Sequence, residues 1–445
     1  MKSRFIRQLA LAAGLTAWLL PGPALAQSDA RISGTVRDPQ GASVPNSQVS
    51  VKNDKTGEVR QVSTNQQGYF LVAGLKPSSY TVKVAVSSFA PLEYPNMLAF
   101  AQSPPTASPT ATPDTPSVRV GATLFTDYTF TQAPEATDAD GNQVHANAFN
   151  VGRAYINVTG NVSHIVAFRI TPDITRDLDT ASSLNGNLVF RVKYAFLQAN
   201  LDDWMWKGSW ARLGIHQTPF VDFQENIYRY RFQGTVFVER EGYLTSSDAG
   251  ASFHTNVPQD YGELHVGFYN GEGYTRNEAN NEKAFQIRGT VRPFPKAAIA
   301  KGLRLTGFLD EDHYVQGATR RRGIFMATFE HEFVNAGFDF LDATDRSSIT
   351  STTLDGRGYS FWITPRSDSG LEGLVRFDHL VPNQGSTAEI HRQRTIAGIA
   401  YWFPHQGAVS AAALLDFEQL TNELKSGVTS SPTQKRIALH ALINF

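Results

Sequence analysis

The sequence predicts an all-β chain: a sixteen-stranded antiparallel transmembrane β-barrel preceded by a small β-sandwich. Three observations predict it. From Ser117 to Phe445, apolar and polar residues alternate almost throughout, with no convincing helix. The connections between the alternating stretches are long and short in turn. The chain ends on a strand-like segment, Arg436 to Phe445, with Ile437, Leu439, Ala441, Ile443 and Phe445 on one face and Arg436, His440 and Asn444 on the other.

The elements follow in chain order. Lys2, Arg4 and Arg7 make a basic start, Leu9 to Leu20 is apolar, and Ala24-Leu25-Ala26 fits a small-x-small cleavage site. Residues 1–26 are therefore expected to be a secretory signal peptide, the apolar run falling short of the about 20 residues that span a bilayer. An N-terminal anchor helix is the alternative. The net charge of −1 loses three cations with that peptide and becomes about −4, which gives no field directed at nucleic acid. There is no cysteine, so disulfides and thiolate metal sites are excluded. No other segment holds 18 consecutive apolar residues, which excludes a helical membrane protein but not a barrel of alternating strands.

Residues 27–90 form short alternating runs punctuated by Gly, Pro and Asn. Asp38-Pro39-Gln40-Gly41 reads as a turn. Val49 and Val51, then Val82, Val84 and Val86, read as inward faces. The run Ile32-Ser33-Gly34-Thr35-Val36-Arg37-Asp38, with Gly41, Val44-Pro45, Thr64, Gly68-Tyr69-Phe70, Gly74-Leu75, Pro77 and Tyr80-Thr81-Val82, resembles the carboxypeptidase regulatory-like domain. That resemblance implies a seven-stranded sandwich with no catalytic role, in a fold often grouped with carbohydrate-binding domains. Ser47 and Ser78 depart from the family, which usually has Ala and often Gly there. Residues 91–116 are rich in Pro, Thr, Ser and Ala and read as an extended linker.

In the barrel region, 117–445, strands are expected near 117–130, 148–160, 163–172, 188–201, 209–217, 249–257, 260–270, 283–293, 301–310, 321–331, 333–342, 357–365, 369–378, 391–403, 407–417 and 434–445. Long connections follow the odd strands, at 131–147, 173–187, 218–248, 271–282, 311–320, 343–356, 379–390 and 418–433. Phe285, Ile287 and Val291 alternate with Gln286, Arg288, Thr290 and Arg292, which suits lipid outside and water inside. Trp204, Trp206, Trp210, Trp362, Tyr401 and Trp402 lie near strand ends, where aromatic girdles belong. Sixteen strands enclose a space wide enough for an aqueous channel.

By parity the lumen should carry Arg119, Arg153, Arg169, Arg191, Lys193, Arg212, Arg288, Arg292, Arg304, Arg376, Arg392, Arg394 and Arg436. Opposing them are Asp127, Glu263, Asp310, Asp339, Glu372, Asp378 and Asp416, so the lumen should be positive and concentrate anions. The segments Phe149 to Asp173, Phe190 to Asn200 and Ala211 to Phe220, with Arg212, Gly214, Pro219 and Phe220, resemble the phosphate-selective porin family. The ladder of basic residues known for that family does not map position by position. The longest connection, 218–248, occupies the place of the third outer loop of trimeric porins, which folds inward and sets the constriction. The resemblance thus gives it a constricting role through Tyr228, Arg229, Tyr230, Arg231 and Arg240, with Asp222, Glu225, Glu239 and Glu241 nearby. The terminal Phe445 resembles the signal read by the barrel-assembly machinery.

Other chemistry is not legible. The eleven His are scattered, and Glu330-His331-Glu332 is no HExxH site. Asp138-Ala139-Asp140-Gly141-Asn142 lacks the bidentate Glu of a calcium loop. No nucleophile elbow, P-loop or dinucleotide motif is present. No enzyme activity, metal or cofactor is expected. These readings give an outer-membrane porin of a Gram-negative bacterium, passing small hydrophilic solutes with mild anion selectivity. Its partners would be outer-membrane lipid and two further chains of a homotrimer, with the sandwich in the periplasm. The alternatives are a barrel-anchored glycan-binding envelope protein, and a TonB-dependent-type receptor, for whose plug the 26-residue linker leaves no room.

Overall fold

The computed structural model describes residues 30–36, 43–75, 78–85, 92–99, 115–177, 179–404 and 409–445. The expected signal peptide, the 38–41 turn and Val86 lie outside them. The chain forms two units, Met1–Thr106 and Ala107–Phe445.

In the first unit, β1 (Ala30–Thr35) pairs with β4 (Tyr69–Leu75). A second antiparallel sheet runs in the order β3 (Val59–Ser63), β2 (Gln48–Asn53), β5 (Ser78–Ala85), β6 (Leu92–Ala99). Val49, Val51 and Val82 are buried with Ile32, Phe70, Val72, Leu75 and Tyr80, and Val84 packs beside them. The buried Ser47 hydroxyl donates to the Val44 carbonyl at 3.2 Å, so a Ser is satisfied where Ala is usual. The expected linker is shorter at its start, because Leu92–Ala99 is an edge strand. Pro95 falls where the register shifts between the Tyr80–Met97 and Val82–Tyr94 pairs, and an edge strand with a bulge tolerates a residue without an N–H. Six strands are described where the family leads one to expect seven.

The second unit is a closed antiparallel barrel of sixteen strands. These are β7 (Ser117–Ala133), β10 (Asn147–Asn161), β11 (Val166–Arg176), β12 (Leu188–Asn200), β13 (Trp210–Gln217), β14 (Ser247–Val257), β15 (Gly262–Tyr269), β16 (Ala284–Val291), β17 (Leu303–Val315), β18 (Ala318–His331), β19 (Val334–Asp345), β20 (Leu354–Pro365), β21 (Leu371–Val381), β22 (Ile390–Trp402), β23 (Ser410–Leu424) and β24 (Thr429–Asn444). A small hairpin, β8 (Ala136–Thr137) with β9 (Gln143–Val144), sits in the first connection. All sixteen expected strands are present. Period-two alternation separates an apolar exterior, with Leu309, Phe325, Phe361, Val375, Ile399 and Leu439 exposed, from an interior of buried neighbours such as Phe308, Met326, Trp362, Leu374 and His440. No helix among the described residues is long and apolar enough to cross a membrane.

Long connections mostly cluster at one end, but two at the other end, 201–209 and 292–302, are as long as some of them, and two of the expected long ones are short. The stretches 311–320 and 418–433 are mostly strand, because β17 and β18 run on to a turn at 316–317, and β23 and β24 to one at 425–428. Their charges read as loop in the sequence but are cross-strand partners: Glu311 with Arg321 at 2.7 Å, Asp312 with Arg320 at 3.1 Å, Glu418 with Arg436 at 2.6 Å. The girdle also needs correction. Trp204, Trp206 and Tyr401 are exposed, but Trp210, Trp362 and Trp402 lie on inward-facing positions. The barrel closes where β24 meets β7. The Phe445 N–H donates to the Ala122 carbonyl and the Ala122 N–H to the Phe445 carbonyl, both at 3.0 Å.

Candidate functional site

The connection from β13 to β14 folds against the inner wall. It carries two short helices, α1 (Val221–Tyr228) and α2 (Phe237–Arg240). α1 stops at Arg229, whose left-handed backbone (φ 68°) returns its N–H to the Glu225 carbonyl. Phe220, Val221, Ile227, Tyr228, Tyr230, Phe232, Val236, Phe237 and Val238 are all buried, in one cluster with the inward residues Phe308, Met326, Trp362, Leu374, Ile396 and Leu414. The inner wall is therefore apolar where the loop covers it. Each large side chain so buried contributes about 1.5–3 kcal/mol. Gly337 makes room for this packing: a Cβ there would lie 2.4 Å from the Trp362 ring.

Ion pairs around the cluster hold the loop to β19–β24. Arg229 meets Glu372 at 3.3 Å and lies over the Trp402 ring at 4.3 Å. The Tyr230 hydroxyl donates to Glu372 at 2.8 Å. Arg240 meets Glu418 at 3.2 Å, and Arg392 meets Glu241 at 2.5 Å. Arg394 meets both Glu241, at 3.3 Å, and Glu418. Gln224 donates to Asp339 at 2.8 Å, and Arg376, paired with Asp378 at 2.7 Å, donates to the Thr235 carbonyl at 2.9 Å. Arg231 is neutralised within the loop by Glu225 and by Glu239 at 3.5 Å. The five loop residues singled out from the sequence are thus all fastened down, and Tyr228 and Tyr230 are buried rather than lining open space.

The wall of β10–β13 is different. Arg153 and Arg191 share one buried carboxylate, Asp173, at 3.3 and 3.2 Å. Arg169, Lys193 and Arg212 have no carboxylate oxygen within 4.0 Å among the described residues. Arg169 donates to Asn157 at 2.8 Å and to Thr171 at 3.0 Å; Arg212 donates to Gln198 at 2.8 Å and Gln217 at 2.9 Å. Aromatic faces supply further contacts, with Arg169 over Tyr194 at 4.4 Å and Arg212 over Trp210 at 3.8 Å. Lys193 is 3% exposed, donates to the Tyr155 hydroxyl at 3.2 Å, and has the rings of Tyr155, Tyr194 and Tyr274 within 5.9 Å. A register shift opposite Thr171 and Pro172 leaves Lys193 as an extra residue, so Lys193 and Tyr194 are both buried on the inner side. Asp222 of α1 reaches the Tyr194 hydroxyl at 3.4 Å.

The remaining expected residues spread around the wall. Arg288 meets Glu263 at 3.2 Å and donates to the Pro219 carbonyl at 2.6 Å. Arg292 donates to the Lys301 carbonyl, and Arg304 pairs with Glu330. Both line a cavity of about 320 Å³ at the short-turn end, with Phe223, Asn256 and Glu263. Arg119 is exposed near the start of β7, Asp127 accepts from Asn150 at 2.8 Å, and Asp416 meets His440 at 3.3 Å. Sequence reasoning missed Asp173, Arg320, Arg322 and Glu418. Asp173 lies past the expected end of its strand, and Glu418 in an expected loop. Arg322, which meets Asp345 at 2.7 Å, sits in the run Arg320-Arg321-Arg322, where parity counted from the outward Phe325 would have placed it inside.

A carboxypeptidase regulatory-like domain profile matches residues 31–131. No curated protein sequence matches the chain. Among solved structures, the chain is similar to OmpT, an outer membrane protein of Vibrio cholerae, in a trimer form, with a TM-score of 0.51 and 11% identity over 75% of this chain and 100% of that one. It is similar to an anion-selective porin from Comamonas acidovorans, with a TM-score of 0.50 and 12% identity over 74% and 100%. Salmonella typhi OmpF in complex with daunomycin aligns with a TM-score of 0.54 and 12% identity over 75% and 98%. At these identities the likeness is one of fold, and that fold is a porin-like barrel.

Proposed function

We propose that the chain is an outer-membrane diffusion porin with mild anion selectivity, its pathway running between the inner loop 218–246 and the wall of β10–β13. One observation carries this reading. On that wall five cations, Arg153, Arg169, Arg191, Lys193 and Arg212, have one ion-pairing carboxylate between them, Asp173, whereas most cations elsewhere on the inner side, Arg292 excepted, are paired with carboxylates. Uncompensated positive charge beside an aqueous path raises the local concentration of anions. Pore-lining roles fall to Arg153, Arg169, Arg191 and Arg212, with Lys193 adding its charge from behind the Tyr155, Tyr194 and Tyr274 rings; the loop residues Arg229, Arg231 and Arg240 hold the constriction in place. The long connections then face the exterior of the cell, and the strand β7 starts on the periplasmic side, where the sandwich belongs. A homotrimer and recognition of Phe445 by the assembly machinery complete the proposal.

Reversal potentials in a KCl gradient across a planar bilayer test it. Net anion preference is expected, moving towards cation preference in Arg169→Glu with Lys193→Glu; cation preference in the unaltered chain overturns the reading. Absence of any open-channel current would favour the barrel as an anchor for a glycan-binding sandwich.

A further inference from the structure

We propose that His379 and His391 form a two-histidine site for an imidazole-preferring transition-metal ion, Zn²⁺ or Cu²⁺, on the outside of the barrel at its long-connection end. His379 lies near the end of β21 and His391 near the start of β22. Both share the outward parity of the exposed Val375 and Ile399, away from the lumen. His379 pairs across the ladder with Gln393, so His391 is its diagonal neighbour, within reach of a long side chain.

The ring nitrogens face each other. His379 Nε2 is 3.3 Å from His391 Nδ1. Two imidazole nitrogens bound to one tetrahedral ion, each at about 2.0–2.1 Å, lie roughly 3.3–3.4 Å apart. The pair therefore already has the bite of a tetrahedral Zn²⁺ chelate, and closes by about half an ångström for the tetragonal set of Cu²⁺. Its surroundings match what such a ligand requires. The far nitrogen of His391, Nε2, is 3.2 Å from Glu389 Oε1, so the carboxylate keeps the proton on Nε2 and leaves the Nδ1 lone pair aimed at His379. Glu389 is itself fixed, its Oε2 accepting the Gly385 N–H at 2.7 Å and Lys425 standing 3.5 Å from Oε1. The other side of His379 packs on the Tyr359 ring, centroids 5.2 Å apart at 30°.

With no ion the two rings are joined by an N–H···N hydrogen bond. An ion takes the place of that hydrogen when His379 carries its proton on Nδ1 instead, and no net proton is released. No three His, Asp or Glu side chains among the described residues converge on a metal. The protein accordingly supplies two ligands, and water fills the remaining positions on the exposed side of His391.

The untagged full chain in detergent micelles tests the site, probed with Cu²⁺ alone by electron paramagnetic resonance and with Zn²⁺ alone by calorimetry. One Cu²⁺ coupled to two nitrogens is expected in the unaltered protein. His379→Ala and His391→Ala should each abolish the two-nitrogen signal, and Glu389→Gln should weaken Zn²⁺ binding about tenfold or more. A spectrum with at most one nitrogen in the unaltered protein overturns the proposal, whatever the variants do. So does equal Zn²⁺ binding by the unaltered chain and the His379→Ala/His391→Ala double variant.

Discussion

The two sides of the barrel's inner wall solve the problem of enclosed charge differently. On β19–β24, cations meet carboxylates from the wall or from the loop, and an apolar cluster fills the space between. On β10–β13, cations lean on amides, hydroxyls and aromatic faces, with one carboxylate among five of them. Removing one partner of a buried, desolvated pair leaves its mate unpaired, which is costly; removing a charge that has no partner is cheap. The first side is therefore built for holding the loop, and the second, under the proposed function, is the one left to meet a mobile ion.

Substitutions can break that contrast. The largest effect is expected at Arg376, buried between Asp378 and the Thr235 carbonyl. Arg376→Ala should lower unfolding stability in detergent by about 3–5 kcal/mol, read from the denaturant midpoint. Glu418→Gln leaves Arg240, Arg394 and Arg436 without their shared carboxylate. It should cost about 1.5–3 kcal/mol and raise anion preference in bilayer recordings. Tyr230→Phe, which removes the hydroxyl between Glu372 and Trp402, should cost about 0.5–1.5 kcal/mol. Lys193→Met on the other side should change stability by less than about 1 kcal/mol while reducing anion preference. A loss at Lys193 as large as that at Arg376 would erase the distinction.

The smallest effect concerns pH, away from both sides. Asp138, in the β8–β9 turn, accepts from the Asn142 side chain at 3.0 Å and from the backbone of Asn142 and Asp140 at 2.9 Å. These bonds, the Asn142 side chain first, hold its carboxyl below the usual carboxylate range. A lowered folded value means the contribution is present above the unfolded value and is lost as pH falls through the folded one. Amide exchange at Asn142 should accelerate only as pH drops below about 4, while the barrel strands stay protected. The same bonds explain why the Asp138–Asn142 stretch is a self-satisfied turn.

The strands were legible because alternation is local: each segment declares its period without knowing its neighbours. Faces were legible for the same reason: parity placed Lys193 inside, and the bulge, which parity does not foresee, adds Tyr194 to the same side. Charge-rich strand ends such as Glu311 to Arg320 read as loop because their partners lie across the ladder. The seating of the loop was visible only by resemblance. Tyr230 with Glu372, or Arg240 with Glu418, joins residues more than a hundred positions apart, and nothing in either segment names the other. Inward Leu374, Ile396 and Leu414 look misplaced in a water-filled interior until the loop covers them.

The backbone bonds between Ala122 and Phe445 have a consequence for biogenesis. The seam that turns a sheet into a cylinder joins β7, the first barrel strand, to β24 and Phe445. A product that stops short of its final strand keeps two raw edges, which invite aggregation and cannot sit in hydrocarbon. Closure of the cylinder is thereby conditional on β24 reaching β7, and a variant lacking residues 429–445 would remain an open sheet.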